Sequence, residues 1–410
     1  MILIEKTRSF WGLPMRYIQQ LLTVTWLTLQ LPTLLAAQEI NLADFLSNHM
    51  SDEQVVSIST EPATIYFEDA RDFYNVNFDF ILENQTDDEL VLKFIKVAVY
   101  DKQKNLVTYR YLNHNGVGTP GIHSLGNFEL KAKEKTTLYN PFHSFSKSME
   151  ISYLRYMFTY ADKNTKQEYY YGNLVVTPVF YSQTVQLELP IKGTCTILDG
   201  HDYFSHHRRF SPTIVREFTN QQMMSNFSRY ALDFVLIGEN GSLRRLPHDA
   251  LATSYDFHVN DATNFYSDKS LIYSPADGVV VEMENKLDDF YDSRFDMEEA
   301  VEKEQVKSIA GNYLVIKHND HEFSHLFHFL KDSIKVNKGQ QVKTGQPLGL
   351  IGFSGAATTY SHLHYQLMDG KNFLTAESLP ARFTNITLLL GKRKIHYAEV
   401  ALDTGDIILN

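Results

Sequence analysis

Residues 361–364 read Ser-His-Leu-His, and because residues two apart in a strand share a face, His362 and His364 present two imidazoles side by side. Imidazole is the commonest protein ligand for zinc and titrates near neutral pH, so such a pair suits metal ligation or proton transfer. On its own the pattern is weak, since exposed strands often carry it. More imidazole comes from two strand-like runs, 311–318 and 322–329, which flank the polar turn Asn319-Asp320-His321 in a hairpin pattern. His325 and His328 are three apart and face opposite ways in a regular strand. One of them can join the His-x-His pair, and the other is expected at the surface. Asp233 sits inside the apolar run Tyr230-Ala231-Leu232-Asp233-Phe234-Val235, where a buried carboxylate is expensive unless paired or bound to metal. Alternation leaves a solvent-facing Asp233 equally open. Upstream, Asp202-Tyr203-Phe204-Ser205-His206-His207-Arg208-Arg209 is either a further source of ligands or a plain polar loop. Cys195, the only cysteine, excludes an internal disulfide, a cysteine-based zinc site and a redox pair. Any metal here falls to histidines and carboxylates.

The order of the blocks is more specific than any one of them. The His-rich loop is followed by Tyr230-Ala231-Leu232-Asp233-Phe234, then Ser274-Pro275-Ala276-Asp277-Gly278, then Gly311-Asn312-Tyr313-Leu314-Val315-Ile316 and the His hairpin. After these come Val336 to Gly349, Gly352-Phe353-Ser354-Gly355 and Ser361-His362-Leu363-His364. This order resembles the LytM/lysostaphin-type zinc metalloendopeptidases, glycyl-glycine endopeptidase-like proteins with a duplicated-hybrid-motif barrel that cut peptide cross-links in bacterial cell walls. The resemblance covers about residues 190–370. It implies Zn2+ as cofactor, held by two His and one Asp with a position left for water. In those terms His364 and Asp233 are ligands and His362 is the catalytic base. The histidine that orients substrate or stabilises the oxyanion falls on His328, with His325 as the alternative. The simplest members carry the first His ligand four residues before the Asp, where this chain has Arg229, whose guanidinium is always protonated and cannot bind metal. Other members carry a Ser-His loop further upstream. Ser205-His206-His207 matches that loop, with His206 taken as the ligand and His207 as the alternative. The implied activity is hydrolysis of peptide bonds, in peptidoglycan stem peptides or cross-links, by a zinc-activated water. The competing reading is a catalytically degenerate LytM-type domain that binds or regulates cell-wall hydrolases.

These residues need a scaffold, and the chain reads as all-β. Between Val55 and Leu189 short strand-like runs such as Leu90–Tyr100 alternate with polar turns at sandwich-like spacing, and Asn75-Val76-Asn77-Phe78-Asp79-Phe80 has the period of a half-buried strand. The expected order is a signal peptide over 1–37, an immunoglobulin-like β-sandwich over 50–190, a LytM-type peptidase domain over 191–380 and a C-terminal β extension over 381–410. With no cluster of ligating residues, the sandwich is expected to be structural or adhesive, or to hold an envelope protein partner. Residues 284–307 have the composition of an acidic helical insertion, either solvated or a substrate-shaping flap. They supply nearly half of the net charge of -11, an acidic balance that argues against nucleic acid as a partner. Lys6, Arg8 and Arg16 precede an apolar run, Leu21 to Ala37, in the order of a secretory signal. An uncleaved anchor is the alternative, although the run is short of about 20 residues and holds Gln30 and Pro32. Both readings place the chain outside the cytoplasm, in the periplasm or cell envelope.

Overall fold

The computed structural model describes residues 54–115, 118–211, 216, 223–245, 264–290, 299, 306–356 and 360–410. The segment read as a signal peptide, and residues 291–298 and 300–305 of the acidic insertion, lie outside these. No described helix is long and apolar enough to cross a membrane. The described residues are almost wholly strand and turn, as the alternating patterns predict.

Two antiparallel sheets build the N-terminal part. One joins Val56–Glu61, Asp79–Asn84 and Lys135–Tyr139. The other runs Glu168–Val176, Tyr153–Asp162, Leu90–Tyr100, Leu106–Asn113, with Glu129–Leu130 on the side. Alternation explains their packing: in Tyr153–Asp162 the residues Leu154, Tyr156, Phe158 and Tyr160 are buried, while the residues between them from Tyr153 to Thr159 are half-exposed. From the facing sheet Phe80 meets Tyr156 and Phe158 edge-on, with ring centroids 5.0 and 5.1 Å apart. Such aromatic pairs contribute about 0.5–1.5 kcal/mol each beyond area burial. The run Asn75 to Phe80, read as one half-buried strand, is divided, because Phe73–Val76 belongs to a separate small sheet with Tyr66–Asp69, Ser144–Ser146 and Val179–Phe180. Its polar positions also differ from a half-solvated strand: Asn77 and Asp79 are buried, Asp79 by side chains from beyond residue 200.

The second half is organised by one eleven-stranded sheet. Its path is Gln341–Val342, Gly278–Glu284, Asn312–Lys317, Phe323–Phe329, Leu363–Met368, Leu232–Leu236, Cys195–Asp199, Ile407–Leu409, Arg382–Leu390, Arg393–Ala401, with the eleventh strand, Ser378–Leu379, paired to Leu363–Met368 off this path. The last three strands are the segment expected to be a separate C-terminal extension. They join the rest of this sheet through Cys195–Asp199 and cover the same core, where Phe234, Tyr365 and Phe383 pack together.

Buried and half-buried ion pairs tie the two halves into one compact unit from Met50 onward. Arg71 reaches Asp403 and Asp406, and His201 meets Glu68 with both side chains buried. Burial pulls the His201 pKa down, but Glu68 outweighs this and raises it to about 9. With an unfolded value of about 6.5, the stabilisation is complete below that pH and is lost as pH rises through about 9. Thermal unfolding should therefore show Tm falling across that window, with a shallower fall in His201→Gln. Parallel slopes in the two proteins would remove the assignment.

Candidate metal centre

The sheet register places the central residues. Asp233 is paired with Asp199 on one side and His364 on the other, and His364 with Phe327, so four residues form a row across adjacent strands. His362, two residues before His364, shares its face. These side chains line a cleft of about 410 Å³ together with His206, His207, His328, Tyr360 and an apolar wall of Phe210, Phe227 and Ile309.

Asp233 is buried, which excludes the solvent-facing alternative. Its Oδ2 accepts a hydrogen bond from Tyr360 Oη at 2.8 Å. Its Oδ1 has no hydrogen-bond partner, yet three ring nitrogens surround it: His364 Nδ1 at 3.2 Å, His207 Nε2 at 3.4 Å and His362 Nε2 at 3.4 Å. Two donors bound about 2.0–2.1 Å from a tetrahedral ion stand roughly 3.3–3.4 Å apart, so this is the spacing of co-ligands. Burial would raise the Asp233 pKa, but the rings of His362 and His207 outweigh it and hold the carboxyl well below its usual value.

Four of the imidazoles are each held through one nitrogen by a carbonyl-type acceptor. Nδ1 of His207 donates to the Gly200 carbonyl at 2.8 Å, Nδ1 of His362 to the Tyr360 carbonyl at 2.9 Å, and Nδ1 of His328 to the Ser354 carbonyl at 2.8 Å. Nε2 of His364 donates to Gln366 Oε1 at 3.0 Å, the amide being oriented by its NH2 on Met368 Sδ. A carbonyl oxygen can only accept, so the held nitrogen carries the proton and the other nitrogen of each neutral ring keeps its lone pair. Burial also pushes His207 and His362 down and His328 well below the usual histidine value, which favours the neutral form. Buried lone pairs on neutral imidazoles beside an ionised carboxylate are a donor set suited to a divalent zinc-type ion.

Among His207, His328, His362 and His364 the rings make two close contacts and a looser one, His328 with His364 at 5.9 Å. His207 and His364 have centroids 4.8 Å apart, and His364 lies parallel to Phe327 at 5.0 Å. His328 and His362 form the other pair, also 4.8 Å apart.

The two choices left open by the sequence have physical answers. His206 also brings a ring nitrogen to within 4.8 Å of the His207 and Asp233 donors. However, its side chain is 63% exposed and its Nδ1 is engaged by Asp199, whereas His207 is 2% exposed with an unpartnered Nε2. Of the two, His207, the alternative, is thus the one whose buried and unpartnered nitrogen faces Asp233, while His206 stands at the exposed rim against Asp199. In the hairpin, strict alternation would put His325, not His328, on the face of Phe327. The strand carries one extra residue opposite Asn312–Leu314, and His328 takes a left-handed φ of +67° there. Bulges re-aim side chains beside active sites, and this one turns His328 into the cleft. His325 is not at the surface as expected. It is fully buried, with Nε2 donating to the Gly370 carbonyl at 2.8 Å and burial lowering its pKa to about 4.

Gly311 and Gly355, both from the quoted motifs, support this bulge. They meet with φ of +62° and +68°, and a Cβ on either would run into the other's strand end at Ser354 or Gly311. That approach sets Ser354, whose carbonyl holds His328 and whose Oγ accepts from Asn312 N. Asp199, Tyr360 and Gln366 gained no role from the sequence, because each acts through a ligand-bearing neighbour rather than through a motif of its own.

Residues 259–375 match Peptidase family M23. The matched span contains His328, His362 and His364 and begins after Asp233 and His207. Over 59 residues, 14% of this chain and 13% of theirs, the chain is 46% identical to the peptidoglycan DD-endopeptidases ShyA and ShyB of Vibrio cholerae serotype O1. It thus spans well under a quarter of the length of these curated relatives. Among solved structures, the catalytic domain of lysostaphin from Staphylococcus simulans is similar at 20% identity over 28% of this chain and 76% of that one, with a TM-score of 0.19. Helicobacter pylori Csd3 is similar at 15% identity over 82% and 72%, with a TM-score of 0.25. On the family match and the recurrence of its motifs, residues 259–375 of this all-β chain form a peptidase family M23 domain of the LytM type.

Proposed function

We propose that the chain is an exported zinc-dependent endopeptidase that hydrolyses peptide bonds in peptidoglycan stem peptides or cross-links. The observation that carries the reading is the unpartnered Asp233 Oδ1 ringed by imidazole nitrogens at 3.2–3.4 Å. His207, Asp233 and His364 would hold the ion, since the first and last form one ring pair and Gly200 and Gln366 fix their tautomers. Zinc, when bound in such a site, polarises the scissile carbonyl and lowers the pKa of a water to about 7.

The chain's own residues handle the proton. His362 Nε2 accepts it from the attacking water and returns it to the leaving amine, with the ring held by the Tyr360 carbonyl. His328, expected from the resemblance to orient substrate or stabilise the oxyanion, presents an acceptor at Nε2 while Nδ1 donates to Ser354. In this state it orients the water rather than donating to an oxyanion. Phe210, Phe227 and Ile309 form the apolar side of the cleft and keep bulk water from the reacting groups.

The order of basic, apolar and small residues before Gln38 supports export, to the periplasm or cell envelope. The strand order within the two facing sheets, first-second-fifth against seventh-sixth-third-fourth when Glu129–Leu130 and the four strands of the separate small sheet are left uncounted, supports the immunoglobulin-like reading of the sandwich. Purified sacculi incubated with the chain should release soluble peptides, a strong chelator should abolish release, and zinc should restore it. Release that persists in chelator would remove the proposal. No release from a chain carrying one zinc would favour the regulatory reading.

A further inference from the structure

Asp79 belongs to the sandwich strand Asp79–Asn84, yet both of its carboxylate oxygens are used by the other half of the chain. Oδ1 accepts from Arg208 Nη1, and Oδ2 accepts from Arg229 Nη1 at 2.7 Å. Arg208 Nη2 also donates to the Phe78 carbonyl at 2.6 Å. All three charged side chains are completely buried. Arg208 directly follows His207 in the chain. Arg229 stands four residues before Asp233, at the position where a guanidinium replaces the first histidine of simpler relatives.

One carboxylate from the N-terminal sandwich therefore grips the two segments that carry His207 and Asp233. A backbone brace lies beside it: Asn226 Nδ2 donates to the His207 carbonyl at 2.8 Å, while Asn226 Oδ1 accepts from Ser228 N at 2.9 Å. Tyr139, also from the sandwich, donates from Oη to the Arg209 carbonyl. The loop is thus held at His207 and at the two residues that follow it, with the Asp79, Phe78 and Tyr139 contacts all falling within two residues of the ligand.

Stability alone does not account for this cluster. Two buried cations share one carboxylate, and Arg208 Nε, Arg229 Nε and Arg229 Nη2 have no hydrogen-bond partner. Apolar residues of similar volume often serve a buried site as well or better, whereas fixed charge pairing specifies one geometry. The geometry points to Asp79 as a positioning residue of the metal centre, which sets the separation of His207 and Asp233 through Arg208 and Arg229. This inference rests on the reading of those two residues as metal ligands. It makes the sandwich part of the catalytic apparatus, in place of the structural or adhesive role expected from its composition.

The test uses the full chain with cobalt(II) as probe, reading the visible bands of tetrahedral cobalt and the affinity by chelator competition. Asp79→Asn keeps the shape and removes the charge. A triple replacement, Asp79→Leu with Arg208→Met and Arg229→Met, keeps the volume, removes all three charges and carries the test if Asp79→Asn does not fold. Either folded variant should bind cobalt about 10–100-fold more weakly, with shifted bands, as for other residues that orient metal ligands. Wild-type affinity and bands in a variant that melts cooperatively would overturn the positioning role and leave the metal centre standing. Absence of stoichiometric tetrahedral cobalt in the wild-type chain would instead overturn the metal-centre reading, and the positioning role with it.

Discussion

Replacing His207 with Ala should empty the metal centre and lower kcat/KM on sacculi by about 10³-fold or more, while His206→Ala should keep one zinc per chain and cost less than about tenfold. The two histidines are adjacent, so composition and gross loop structure are common to both variants. Their surroundings differ. His207 is buried with Nε2 3.4 Å from Asp233 Oδ1 and its other nitrogen fixed by Gly200, whereas His206 is mostly exposed and engaged with Asp199. Lewis-acid assistance is worth several kcal/mol to the transition state, and each 1.36 kcal/mol is tenfold in rate. Losing it accounts for the larger effect. An exposed pair such as His206 with Asp199 contributes at most about 1 kcal/mol, which sets the smaller one. Zinc content by mass spectrometry, read beside the kinetics, decides the matter. Metal loss in His206→Ala with retention in His207→Ala would reverse the ligand assignment.

His362→Ala should leave zinc in place and lower kcat by about 10²–10⁴-fold with little change in KM, the range for removing a positioned general base. The prediction separates proton transfer from ligation at a residue where distance alone does not, since His362 Nε2 lies as close to Asp233 Oδ1 as His207 Nε2 does. The ring pairing makes the distinction. His364 is clamped between His207 and Phe327, whereas His362 faces His328, which keeps an acceptor free. A base of this kind must move its proton on and off within one turnover, and a ligand must not. If His362→Ala loses metal as His207→Ala does, then His362 is a ligand and the base must be sought at His328.

What could be read from the chain alone follows from the range of the interactions involved. Strands were legible where one face is buried and the other half-exposed, as where Leu154, Tyr156 and Phe158 alternate with their neighbours, because alternation records the local environment residue by residue. The Ser-His-Leu-His segment was legible for the same reason, with both imidazoles on one face of one strand. The polar position Asp79 misled, because its cover comes from Arg208 and Arg229 and no local pattern reports what packs on a strand from so far along the chain.

The sequence by itself determined the class of donor, histidine and carboxylate with no thiolate, and the all-β scaffold that holds it. It also narrowed the first ligand to His206 or His207 and the hairpin residue to His325 or His328. The members of each pair differ in position only once the chain is folded. A strand bulge with one residue at positive φ reverses the outcome of alternation at His328, and neighbours in a loop differ in burial by which of them meets Asp233. The sandwich's hold on Arg208 and Arg229 is likewise a property of packing, because a carboxylate and its guanidinium partners become one unit only when the fold removes water from between them.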